Sequence, residues 1–267
     1  MLKPILAILI FLLLQAAGGI ILGCLGQFTP IPPFHPTLLA LTVIISGLIS
    51  VLIIYWMEMI DGRHLFSTQL IRWRHAPIAL AGALTGIFAT DMFTELFQLP
   101  DHLADQFRDM AQNPWGILCI ALVGPVVEEI VFREAVLGYM LRQGIRPLTA
   151  ILCSSLAFGL VHGNPVQIPF ATIIGCIFAI IYYKTHSILL TTILHIINNS
   201  AAVVQMNILG DQAETFRYAD LFGTTLLWIF AILLTAVSFC LMRHFCSLNA
   251  SDQITPITSC TPPTENA

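Results

Sequence analysis

Eight apolar runs, broken only by short stretches of proline, glycine or charge, dominate this chain of 267 residues. They fall at about 4–26, 37–59, 77–98, 115–142, 146–162, 165–184, 187–208 and 221–245. A helix needs ~20 mostly apolar residues to cross a bilayer core of ~30 Å. Only 10% of the residues are charged and 57% are hydrophobic, whereas roughly a quarter of a soluble domain is charged. A soluble globular enzyme is thereby excluded. The net charge of −4 also offers no basic face for nucleic acid. Within hydrocarbon a helix satisfies its own backbone donors, so the expected fold is all-α: a polytopic integral membrane protein of about eight transmembrane helices.

The first run, from Pro4 to Leu25, exceeds the 7–15 residues of a signal-peptide core, and is expected to be an uncleaved span. With the N-terminus inside, Lys3, Arg63, Arg72, Arg74, Arg142, Arg146, Lys184 and Arg243 all fall on the inner side. Only Arg108 and Arg217 fall outside, and Arg133 lies within a span. This asymmetry predicts that both termini face the cytoplasm of a bacterial inner membrane. Segment 100–113 puts Leu103, Phe107 and Met110 on one helical face and is expected to lie along the membrane surface. The tail 247–267 is polar and expected to be disordered. The resulting organisation has helices one to three plus the surface segment (1–114), a four-helix intramembrane core (115–208), a last span (209–246) and the tail. Cys24, Cys119, Cys153, Cys176 and Cys240 sit in apolar runs without metal spacing and read as small core residues.

Three clusters of polar groups at membrane depth are not explained by topology. Span four carries Glu128, Glu129, Arg133 and Glu134, one turn after Pro125, which is expected to kink the helix. Glu129 and Arg133 are four apart and share a face, whereas Glu128, rotated by about 100°, is free to face a different neighbour. The second cluster is Phe158 through His162, followed by the turn Gly163-Asn164-Pro165. The third pairs His195 with Asn199, one turn apart in span seven. The other polar residues have plainer readings. Glu134 reads as a pore-side or interfacial charge, and Tyr182, Tyr183, Lys184 and Trp115 as interface anchors. Asp91 and Glu95 read as unpaired acids open to water at the outer end of span three.

A carboxylate, two imidazoles and an amide suit activation of a water molecule and stabilisation of an oxyanion. No GxSxG or HExxH pattern is present, which removes serine-nucleophile and zincin chemistry. The series Glu128-Glu129-x-x-x-Arg133, Phe158-x-x-x-His162 and His195-x-x-x-Asn199, on successive apolar helices, resembles the three motifs of the CPBP family. That family comprises the type II CAAX prenyl proteases and the bacteriocin-processing or self-immunity (Abi) proteins. The resemblance covers roughly 115–205 and implies an intramembrane endopeptidase. It makes Glu128 the general base and His162 its helper with the water. His195 and Asn199 would stabilise the oxyanion, and Glu129 and Arg133 would position the motif helix. Whether zinc takes part stays open; Glu128, His162 and His195 would form a three-ligand site with one open position.

The implied partners are a peptide or protein substrate in or near the membrane and the bilayer itself. By analogy with the prenyl proteases the cavity is expected to open towards the cytoplasm. A proton-coupled transporter or channel using the same Glu/His cluster, and a non-catalytic immunity or scaffold protein, are the alternatives. One geometric conflict stands out. His162 falls at the outer end of span five, while His195 lies about eight residues (~12 Å) into span seven from the inner side. They can meet only if the turn after His162 lies within the membrane and borders the site.

Overall fold

The computed structural model describes residues 2–28, 32, 35–62, 65–210, 212 and 216–248. The tail and Arg63 lie outside these residues, apart from Ser247 and Leu248, which end the last helix. Ten helices follow one another: α1 (Leu2–Phe28), α2 (Pro36–Trp56), α3 (Ala76–Glu95), α4 (Ala104–Ala111), α5 (Pro114–Arg142), α6 (Pro147–Leu160), α7 (Gln167–Thr185), α8 (Leu189–Leu209), α9 (Tyr218–Phe222) and α10 (Thr224–Leu248). No strand occurs among the described residues. Each apolar run forms a helix with both ends within three residues of its expected limits.

Seven of these helices are long and apolar enough to cross a bilayer. The exception is α6, whose 14 residues span about 21 Å at 1.5 Å per residue, short of the ~30 Å hydrocarbon core. Proline occupies the first turn of α2, α3, α5 and α6, where no intrahelical donor is lost. Asn113 caps α5 by accepting from the N–H groups of Trp115 and Gly116 at 3.0 and 3.3 Å. Leu13, Ile20, Leu52 and Phe239 point outward, as a lipid-facing surface requires.

The chain ends of the helices are tied together at both levels. At the basic end, Lys3 donates to Met57 O (3.0 Å) and Arg142 to Met59 O (2.7 Å). At the opposite end, Asn113 donates to Thr37 (2.9 Å) and Asn207 to Ala111 O (2.9 Å). Close helix approach relies on small residues, as is usual where lipid competes equally for apolar side chains. On α3, Gly82 and Gly86 lie under α10, and Ser238 Oγ donates to Gly82 O at 2.7 Å. A methyl at Gly86 would meet Ser238 Oγ at 2.7 Å and Ile177 Cδ1 at 2.6 Å. The α6–α7 hairpin is tighter still, since a methyl at Gly159 would strike Thr172 and come within 2.6 Å of the backbone oxygen of Ile168.

Several plain readings are corrected. Asp91 and Glu95 are not unpaired: Asp91 accepts from Tyr218 Oη at 3.0 Å, and Glu95 accepts from the N–H groups of Tyr218 and Ala219. They anchor α9 to α3, and burial together with the neighbouring Asp91 pushes the Tyr218 phenol up. Glu134 is not interfacial but buried, accepting from Arg142 (2.6 Å), the Asp61 N–H (3.1 Å) and Tyr182 Oη. Tyr182 is therefore a core residue rather than an interface anchor. Of the five cysteines in apolar runs only Cys119 is buried; Cys24, Cys153 and Cys240 are exposed.

Because the backbone at Ile168 cannot yield as a side chain can, Gly159→Ala should destabilise the protein by about 1–3 kcal/mol. The readout is a lower thermal unfolding midpoint in detergent. Gly19→Ala, whose added methyl meets nothing within 4 Å, should not lower it.

Candidate active site

Helix α5 sets the geometry of the site. It contains two π-helical stretches, Cys119–Val123 and Glu129–Gly138. Such wide turns inside α-helices occur disproportionately at functional sites. The first accommodates Pro125: the N–H of Gly124 reaches back five residues to Cys119 O. Glu128 and Glu129 follow immediately and, contrary to the simple 100° argument, converge on the same partner. The imidazole of His195 lies between them, Nδ1 at 3.1 Å from Glu129 Oε1 and Nε2 at 3.6 Å from Glu128 Oε2.

Glu129 and Arg133 pair as their spacing requires, with 3.2 Å between Arg133 Nε and Glu129 Oε2 and both side chains fully buried. The contact is an ion pair, and among the described residues no nitrogen of this guanidinium meets hydrogen-bond geometry. Instead it lies over the Phe158 ring at 4.5 Å and the Phe178 ring at 5.7 Å, where the negative ring faces stabilise a cation. The paired carboxylate accepts from His195 Nδ1–H, so the line Arg133–Glu129–His195 fixes both the tilt and the tautomer of the imidazole. Glu128 keeps 25% of its side-chain surface open. It is the acid presented to the cavity, while Glu129 is the acid sealed behind it.

His162 completes the site from α6. Its Nδ1 stands 2.8 Å from Phe158 O. A carbonyl only accepts, so the proton sits on Nδ1 and the neutral ring offers the Nε2 lone pair. Phe158 contacts both imidazoles edge to face, with ring centroids 5.0 Å from His162 and 5.8 Å from His195. The conflict over helix depth is resolved by the short α6 and the turn behind it. Asn164 is fully buried. Its Nδ2 donates to Asp101 (2.8 Å) and its Oδ1 accepts from the His102 N–H (3.1 Å). This clamp holds the turn against segment 101–103, and His162, just before the turn, lines the cavity.

Glu128, His162, His195 and Asn199 all line one cavity of about 410 Å³. Its remaining wall is largely apolar, including Leu39, Met110, Phe170 and Ile174. Leu103, Phe107 and Met110 also line it. The apolar face of α4 thus roofs the cavity rather than merely resting on the membrane surface.

The cavity lies between the starts of α2, α5 and α7 and the ends of α6 and α8, the end of the bundle opposite Lys3, Arg142 and Lys184. Asn199 Nδ2 donates to Ile120 O (3.0 Å) and its Oδ1 accepts from Asn198 (3.0 Å). Among the described residues no three His, Cys, Asp or Glu side chains stand close enough to hold a metal ion. The donor set Glu128, His162 and His195 does not converge as a zinc site, and both His195 nitrogens face carboxylates.

Residues 110–201 match the family described as type II CAAX prenyl endopeptidase Rce1-like. The chain is 33% identical over 91 residues to the putative membrane peptidase YdiL of Bacillus subtilis (strain 168), covering 34% of this chain and 37% of that protein. It is 31% identical over 96 residues to the membrane-embedded CAAX protease MroQ of Staphylococcus aureus (strain USA300), covering 34% of this chain and 39% of that protein. The match thus spans little more than a third of these relatives' length. No solved structure matches. The matched stretch, residues 110–201, contains all three motifs.

Removing Arg133 would leave Glu129 as an uncompensated buried charge. Arg133→Ala should therefore cost about 3–5 kcal/mol, seen as loss of the folded protein in detergent-solubilised membranes. Arg133→Met with Glu129→Gln, which removes both charges, should retain more folded protein than Arg133→Ala.

Proposed function

We propose that the protein is an intramembrane endopeptidase that hydrolyses a peptide bond of a membrane-associated protein or leader segment by water activation. The observation carrying this reading is the shared cavity, with an accessible carboxylate and an imidazole lone pair on its wall beside an imidazole braced by two carboxylates. Glu128 takes a proton from a water molecule that His162 Nε2 helps to orient. The water oxygen attacks the scissile carbonyl carbon. His195, its ring held by Glu129, lies beside the attacked carbonyl and stabilises the developing oxyanion. The C–N bond breaks as Glu128 returns the proton to the leaving amine. No step requires a covalent enzyme intermediate.

The apolar wall favours a substrate with apolar side chains around the cleaved bond. If the basic end of the bundle is cytoplasmic, the cavity receives this substrate from the opposite, extracytoplasmic side.

Purified protein should cleave a fluorogenic peptide of a membrane-protein or leader segment. Glu128→Gln and His162→Ala should each lower kcat by about 10²–10⁴, the usual contribution of general acid–base catalysis, without altering thermal unfolding. Cleavage unaffected by both changes would remove the assignment. Access is read separately in a cysteine-free background. A cysteine at Asp105, whose side chain is 80% exposed beside the cavity roof, should react with a membrane-impermeant maleimide in intact spheroplasts. A cysteine at Arg146, at the opposite end, should react only in inverted vesicles.

A further inference from the structure

A hydrogen bond runs from Asn199 Nδ2 to Ile120 O, at 3.0 Å across 79 residues of chain. Its origin lies in the local sequence of α5. In the π-helical stretch Cys119–Val123, the Gly124 N–H is spent on Cys119 O. The next donor in that five-residue register, for the carbonyl of Ile120, would come from residue 125. That residue is proline and has no N–H. Ile120 O is thus left without its helical donor, facing the cavity wall where both Ile120 and Asn199 lie. An unsatisfied carbonyl is costly away from water. The Asn199 amide supplies the missing donor, and Asn198 Nδ2 donates to Asn199 Oδ1 at 3.0 Å, which fixes the orientation of that amide.

We infer that Asn199 is a positioning residue that stands in for the backbone donor lost at Pro125. It thereby locks the turn before Glu128 to the helix that carries His195. This rests on the peptidase reading for its catalytic consequence, but the strut itself exists whatever the reaction. The strut has a direct geometric effect. Pro125 precedes Glu128 by one turn, and Asn199 follows His195 by one turn on the same face of α8. Joining Ile120 to Asn199 therefore sets how far the Glu128 carboxylate stands from His195 Nε2, now 3.6 Å. A proline here and an amide four residues after the histidine are two halves of one device. In this role one N–H of the Asn199 amide is committed to Ile120 O.

The test is a double-mutant cycle on purified full-length protein with Asn199→Ala, Pro125→Ala and the double variant. Pro125→Ala returns an N–H to α5 within reach of Ile120 O. In the native background Asn199→Ala should lower kcat for peptide cleavage about tenfold or more, the order expected for orphaning one buried acceptor. KM should change by less than about twofold, because the apolar wall is untouched. In the Pro125→Ala background the same change should cost several-fold less in kcat, and the thermal unfolding midpoints should show the same partial rescue. Additive effects in both readouts overturn the inference. Rescue of thermal stability without rescue of kcat also overturns it, because Asn199 would then act directly on the oxyanion. The unfolding cycle needs no substrate, so a strut detected there in a protein that cleaves no peptide refutes the peptidase reading and leaves the strut standing.

Discussion

The buried ion pair between Glu129 and Arg133 is the interaction on which the site depends. Removing two charges from water costs several kcal/mol each, and their attraction offsets this only with good geometry and further partners. Here those partners are the two halves of the active site. The guanidinium rests on Phe158 and Phe178, which bring in α6 and α7. The carboxylate grips His195, which brings in α8. A charge that would be intolerable alone in hydrocarbon becomes the fixed point around which three helices orient their functional side chains.

The same economy governs the rest of the molecule. Polar groups at depth are few, and those described are mostly engaged in holding elements together. Glu134 gathers Arg142, Tyr182 and the backbone of Asp61 at the basic end. Asp91 and Glu95 anchor the short helix before the last span. Asn164 clamps the turn behind His162 to segment 101–103. With the apolar side chains equally content in lipid, such bonds and close contacts at small residues supply the specificity that water would otherwise enforce. Glu128 is the exception, held near an imidazole yet open to the cavity.

The bundle also imposes an asymmetry. Most basic residues gather at one end and the cavity lies towards the other, beneath the amphipathic helix that roofs it. The turn after α6 carries no charge, and this agrees with its place against the cavity rather than in a solvated loop.

The sequence by itself determined the helical class, the limits of each apolar helix and the residues around the site, because hydrocarbon length, backbone satisfaction and the scarcity of charge are properties of the chain written in one dimension. The pairing of Glu129 with Arg133 was legible for the same reason, being a contact within one helix. Only the tertiary structure decided that both glutamates meet His195, that α6 stops short, that Asp91, Glu95 and Glu134 have partners, and that Asn199 serves Ile120. Each of these is a contact between segments distant in the chain, or a departure from the regular helical turn. A fixed 100° per residue cannot anticipate a π-helical stretch, and no spacing rule states which carbonyl a proline leaves bare until the neighbouring helix is in place to satisfy it.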